Sequence, residues 1–296
     1  VAEIVDYGVF ADRLKAAANR WDVLREFHEE WGYAVRPGSA RRKRLSEDRH
    51  EKYALALGGR TGVDGFEGVD LALPVPAALD EWWELPFNSF THDAGLYWTH
   101  PVYPPTANAE PPGHGESMGP IPDDSDLVAP DADHRVCVFM VEYQACNEWG
   151  YPAAEAHEPD PRVLVSVAGG EGTSEGEWVL QARSVSEFFL QLAVQRLPRT
   201  LGWSTPIDEE DVVGDGDGAE LVARIEAELP ALGFEPWREL EQDGIVRGGP
   251  DVLVHLAQGH GGGILLTGRT PRALLDLTAR LGLERTEDEL DAPEGY

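Results

Sequence analysis

Gly115-Glu116-Ser117-Met118-Gly119 has the G-x-S-x-G spacing of a serine-hydrolase nucleophile elbow, and Gly259-His260-Gly261-Gly262-Gly263 contains an HGGG stretch of the kind that supplies oxyanion-hole donors in lipases and esterases. Acyl transfer would need both. An elbow exposes its hydroxyl only as a tight turn between a buried strand and a helix. Pro111 and Pro112, which cannot donate to a ladder, precede Ser117, and Pro120 and Pro122 interrupt any helix after Met118. The glycine stretch also follows the serine in chain order, the reverse of the hydrolase arrangement. In a chain with 32 glycines both matches are accidental, and no catalytic residue is assigned.

Metal chemistry fares no better. Phe27-His28-Glu29-Glu30-Trp31 begins like a HExxH zinc signature, but no second His follows one turn later. Asp215 and Asp217 lack the remaining ligand positions of an EF-hand loop. Cys137 and Cys146 form neither a CxxC nor a disulfide framework, and both are expected as buried, reduced thiols. No metal and no cofactor is expected.

Charge is the loudest compositional signal, with 54 Asp and Glu against 24 Lys and Arg, a formal net charge of -30 over 296 residues. Such a field repels phosphate, which argues against nucleic acid or an anionic membrane as a partner and favours a basic one. Solubility alone also accounts for acidity. No apolar run approaches bilayer length and the first residues lack a signal-peptide layout, so a soluble, cytoplasmic protein is expected.

The elements follow from periodicity. Phe10, Leu14, Trp21, Leu24, Phe27 and Trp31 recur at helical steps up to Gly32. Arg41 to Tyr53 is a mixed-charge run that reads as a solvated loop or helix face. Pro76 opens a helix carrying Leu79, Trp82 and Trp83, and Pro101 to Asp133 has loop composition. Val136 to Val141 reads as a strand covered on both faces, Val163 to Val167 as a second, and Trp178 to Gln181 as a third. Ser184-Val185-Ser186-Glu187 is a capping box for a helix with Phe188, Phe189, Leu192 and Leu197. Beyond an acidic linker, a helix with Leu221, Ile225 and Leu229 precedes a hairpin across Asp243-Gly244. A strand with Val252, Val254 and Leu256 then turns at the glycine stretch into Ile264 to Leu266. Thr270-Pro271 starts a last helix that ends at Gly282. The expected architecture is α+β: a central mixed or antiparallel sheet flanked by helices in residues 1–204, a linker at 205–218, and a small α+β unit in 219–296.

Four pieces in order resemble the SUKH superfamily, in the branch related to the fungal cell-wall synthesis regulators. They are LPVPAALDEWWEL at Leu73 to Leu85, VCVFMVEYQACNEWGY at Val136 to Tyr151, PDPRV at Pro159 to Val163, and WVLQARSVSEFFLQL ending at Leu192. Trp82 and Trp83 match the aromatic pair of the family, Glu142, Gln144, Trp149 and Gly150 its strand-end and Trp-Gly elements, and Asp160, Pro161 and Val163 its Asp-Pro element. Tyr143, Ala145 and Arg162 depart from the usual Asn, Gly and Pro. For bacterial members the resemblance implies a non-enzymatic immunity protein that neutralises a toxin domain, often a nuclease with a basic active-site face. Trp82, Trp83, Glu142, Gln144, Trp149 and Asp160 are the family-motif candidates for partner contact. An intracellular scaffold or regulatory interaction module is the alternative, and local hydrogen bonding is the alternative role for Glu142 and Gln144.

Overall fold

The structure, a computed structural model, describes residues 3–33, 70, 72–92, 99–108, 119–142, 146–167, 176–207, 217–240, 242–259 and 262–293. Its helices are α1 (Phe10–Ala16), α2 (Arg20–Glu30), α3 (Ala77–Glu84), α4 (Val185–Leu201), α5 (Asp217–Glu228) and α6 (Pro271–Arg280). One sheet runs β1 (Thr99–Asn108), β2 (Val136–Glu142), β3 (Glu148–Pro152), β4 (Val163–Val167), β5 (Glu177–Ala182) in spatial order. The other contains β6 (Trp203–Ile207), β7 (Trp237–Glu239), β8 (Gln242–Gly249), β9 (Val252–Gly259) and β10 (Ile264–Gly268), in the order β6-β10-β9-β8-β7. Every pairing in both sheets is antiparallel, and the fold is α+β.

The division of the chain differs from the sequence expectation. One compact unit comprises Val35–Phe188, the other Val1–Ala34 with Phe189–Tyr296, so the cut falls inside α4 rather than at residues 205–218. The start of the expected linker is strand: Trp203 to Ile207 pairs with β10 throughout its length. Residues 208–216 lie outside the described residues, as does the run Arg41 to Tyr53. The opening stripe explains the N-terminal part. Phe10 meets Phe234 at 5.9 Å between ring centroids, Trp21 meets Phe189 at 6.3 Å, and Tyr7 stacks on Trp31 at 5.9 Å. Periodicity says that such a stripe must be buried, and is silent about which residues will cover it.

In the Phe189–Tyr296 unit, Val252, Val254 and Leu256 face one side of the sheet and pack with Leu221, Ile225 and Leu229 of the α5 segment and Leu274, Leu277 and Leu281 of the α6 segment. Thr270 caps α6 by accepting from the Ala273 N–H, Pro271 follows in its first turn, and Gly282 takes the left-handed conformation that ends it (φ 75°). The β7–β8 hairpin turns between Glu239 and Gln242, not at Asp243-Gly244, which pair inside the strands with Arg238 and Trp237. Leu240 supplies the positive φ there (51°), at a residue type that carries no turn signal.

The opening helix also breaks in two. Asn19 caps α2 by accepting from the Trp21 N–H, an N-terminus that the continuous apolar stripe conceals. His28, from the incomplete zinc signature, is buried on α2 with Nδ1 donating to the Leu24 carbonyl at 2.7 Å.

In the Val35–Phe188 unit, the expected loop from Pro101 begins as a strand. β1 is the outer strand beside β2, and its pairing shifts between Pro101 and Thr106, around Pro104 and Pro105. Prolines lack the N–H that a central strand needs, but an outer strand with a bulge accommodates them. The apolar run Val136 to Val141 is covered on both faces. Phe139 meets Phe188 edge-on at 5.3 Å, while Val136 and Val138 pack with Ile121, Leu164 and Trp178.

Candidate functional site

Most of the motif residues build the frame of this unit. Trp82 and Trp83 lie on the buried side of α3, and Asn88 Nδ2 donates to their two carbonyls at 3.3 and 2.9 Å, closing the helix end. Trp149 on β3 is fully buried, 6.0 Å from Phe188. Glu142 is also fully buried: its Oε2 accepts from the Cys146 N–H at 3.3 Å and its own N–H donates to the Asn147 carbonyl at 2.8 Å. It holds the ends of the β2–β3 connection together. Gln144, Ser117 and His260 lie outside the described residues.

Gly150 completes the Trp-Gly pair by its lack of a side chain. A Cβ there would stand 2.6 Å from Val136 Cγ1 and 2.7 Å from the Cys137 carbonyl oxygen. Backbone on the neighbouring strand cannot yield cheaply. Gly150→Ala is expected to cost about 1–3 kcal/mol of stability by overpacking, measurable as a shift of the urea midpoint.

Pro159-Asp160 ties two helix starts. The Pro159 carbonyl accepts from the Ala78 N–H at 2.9 Å at the start of α3, whose N-cap, Pro76, offers no side-chain acceptor. Asp160 accepts from the Ser186 N–H at 3.0 Å and from the Ser186 hydroxyl at 2.5 Å in the first turn of α4. The expected capping box is there in altered form. Ser184 Oγ accepts from the Glu187 N–H, but the buried Glu187 carboxylate reaches back to Arg183, to its N–H at 3.3 Å and its Nε at 2.9 Å. Asp160→Ala should therefore lower stability by about 1–2 kcal/mol, read as a drop in Tm with far-UV helicity retained below the transition.

Among the described residues of this unit, the segment from Gly119 to Asp133 presents a run of carboxylates to solvent. Ile121 is buried, and Leu127 and Val128 pack beside it on Val136, Val138, Leu164 and Trp178, so the segment lies as a strap across the second face of the sheet. It is tied down at several points. Trp178 Nε1 donates to the Gly119 carbonyl at 2.9 Å, Ile121 N–H to the His134 carbonyl at 2.8 Å, and the Arg162 guanidinium to the Leu127 carbonyl. Arg162 also pairs with Glu155 at 2.7 Å. Arg162 is thus an anchor of the strap. At its far end Arg135 binds Asp133 at 2.6 Å and Asp70 at 2.7 Å; the guanidinium holds the Asp133 carboxyl below the usual carboxylate range, and the Ala72 N–H, then the guanidinium, do the same for Asp70.

With its apolar side chains turned inward, the strap turns Asp123, Asp124, Asp126 and Asp131 to solvent. Asp124, Asp126 and Asp131 make no ion pair among the described residues, and Asp123 only approaches His134, at 3.7 Å. No Lys or Arg lies between Gly119 and His134. With Glu155 and Arg162 the strap rims an open depression. The arrangement can hold cationic side chains of another molecule. The sequence signal for it was present in IPDDSDLVAPDAD, whose Ile121, Leu127 and Val128 are the apolar residues a draped loop needs, but composition alone reads as loop.

Cys137 is buried, and desolvation pushes its thiol up to about 12, whereas Cys146 is exposed, against the expectation of two buried thiols. Among the described residues no cluster of His, Cys, Asp and Glu has the geometry to hold a metal ion, and no helix is long and apolar enough to cross a membrane. No protein-family model, curated protein or solved structure matches the chain.

Proposed function

We propose that the protein is a non-enzymatic immunity protein that binds and neutralises a toxin domain with a basic surface, of the kind a nuclease uses to hold phosphate. The observation that carries this reading is the strap: exposed aspartates on a segment whose backbone is pinned by Trp178, Arg162 and Arg135. Carboxylates on a fixed frame meet a cationic face with less ordering cost than carboxylates on a mobile loop. The net charge of -30 adds long-range steering towards such a partner and repels the nucleic acid that the partner would otherwise hold. The ordered likeness to the SUKH superfamily supports the same class of role. In that likeness the matching residues shape the frame, and the binding surface belongs to the segments draped on it.

The test is titration of the purified chain into the toxin domain encoded beside its own gene. Stoichiometric loss of toxin activity, weakened by salt, is the expected result. Absence of saturable binding, or retention only of several unrelated host proteins, would replace this reading with a scaffold role.

A further inference from the structure

His134 sits where the strap returns to β2, and its ring reaches across the loop. Nδ1 donates to the Ile121 carbonyl at 3.1 Å and lies 3.7 Å from Asp123 Oδ1. Nε2 is buried and makes no hydrogen bond. The carbonyls of Ala129 and Pro130, on the opposite arm, are close enough to favour a proton on the ring. The charged groups around it are Asp123, Asp133 and Arg135, and Arg135 is already engaged by Asp133 and Asp70. A neutral ring with its proton on Nδ1 ties the Ile121 arm only and leaves Nε2 buried without a hydrogen bond. A protonated ring can donate to both arms.

We infer that His134 is a protonation-controlled clasp, which fastens the two arms of the aspartate strap together when charged and loosens them when neutral. The Ile121 carbonyl first, then Asp123 and the carbonyls of Pro130 and Ala129, raise its pKa above the ordinary 6.5 against the opposing effect of desolvation. The clasp therefore contributes fully below the unfolded value and is lost as pH rises through the folded one. Its window lies above the ordinary histidine value of 6.5. The consequence for a partner rests on the strap being the docking surface; the clasp itself does not.

The experiment uses the free protein. Histidine ring resonances are followed by NMR through the neutral range, and amide hydrogen exchange of residues 119–133 is measured at about pH 6 and about pH 8 and corrected for intrinsic rates. His134 should titrate above the ordinary histidine value of 6.5, and the amides of Ser125, Leu127 and Ala132 should be several-fold better protected at the lower pH. In His134→Gln, which keeps a donor but cannot titrate, that difference should vanish. A ring that titrates at or below the ordinary 6.5 overturns the clasp without any variant being needed. Protection that is the same at both pH values, or a difference that persists in the variant, also overturns it. None of these outcomes depends on whether a toxin binds.

Discussion

Glu239→Ala should destabilise the Phe189–Tyr296 unit by about 3–5 kcal/mol, more than any other single change considered for this chain. Glu239 and Arg196 are both buried, paired at 2.5 Å, and Trp237 Nε1 donates to the same carboxylate oxygen at 2.9 Å. The guanidinium also lies over the Trp237 ring, 5.9 Å from its centroid. Removing the carboxylate leaves a buried cation and a buried indole N–H without this acceptor. A second consequence falls on His255, which is buried on β9 with neither ring nitrogen hydrogen-bonded. Burial, and then Arg199 and Arg196, hold its pKa well below 6.5, and loss of Glu239 removes the charge that offsets Arg196. Double replacement by Arg196→Met and Glu239→Leu should recover most of the loss, because what costs is a buried charge that has lost this carboxylate rather than the absence of the pair. Urea denaturation of the single and double variants checks both expectations; a single variant within about 1 kcal/mol of the parent would show that the pair is not buried in solution.

Much of the frame could be read from residue order. Val163 to Val167 is a strand with the bounds its apolar run implies, and Thr270-Pro271 starts α6 because capping is a local property. What could not be read depends on partners distant in sequence. The stripe from Phe10 to Trp31 carries no mark of Phe189 and Phe234, which pack on it, and β6 looks like the edge of an acidic linker until β10 lies beside it. Pro101, Pro104 and Pro105 argue against a strand, and only the outer position of β1 reconciles them with one. The same limit applies to the site. Trp82, Trp83, Trp149, Glu142 and Asp160 stand out by type and order, yet the structure uses them to fill, close and cap. The strap was hidden because its order comes from Trp178 and Arg162, about thirty to sixty residues away in the chain.

Neutralising the strap should have the larger effect on function. Replacing Asp123, Asp124, Asp126 and Asp131 together by Asn removes four negative charges while leaving Ile121, Leu127, Val128 and the anchors untouched. Stability should change little, since exposed surface substitutions away from packed features are usually worth less than about 0.5 kcal/mol each. Association with the basic partner should slow by roughly 100-fold at low salt, and the remaining rate should depend less on ionic strength. Stopped-flow kinetics over a salt series separates this from a folding defect, because a misfolded variant would lose binding amplitude at every salt concentration.

Under the proposed function the strap is the surface through which a basic toxin domain is held, and hydrogen-exchange footprinting of the chain with the toxin domain encoded beside it reads that surface. Added protection should concentrate in residues 119–133 and around Glu155 and Arg162, and should weaken as salt is raised. Protection confined to other elements, with the exchange of the strap unchanged, would contradict it.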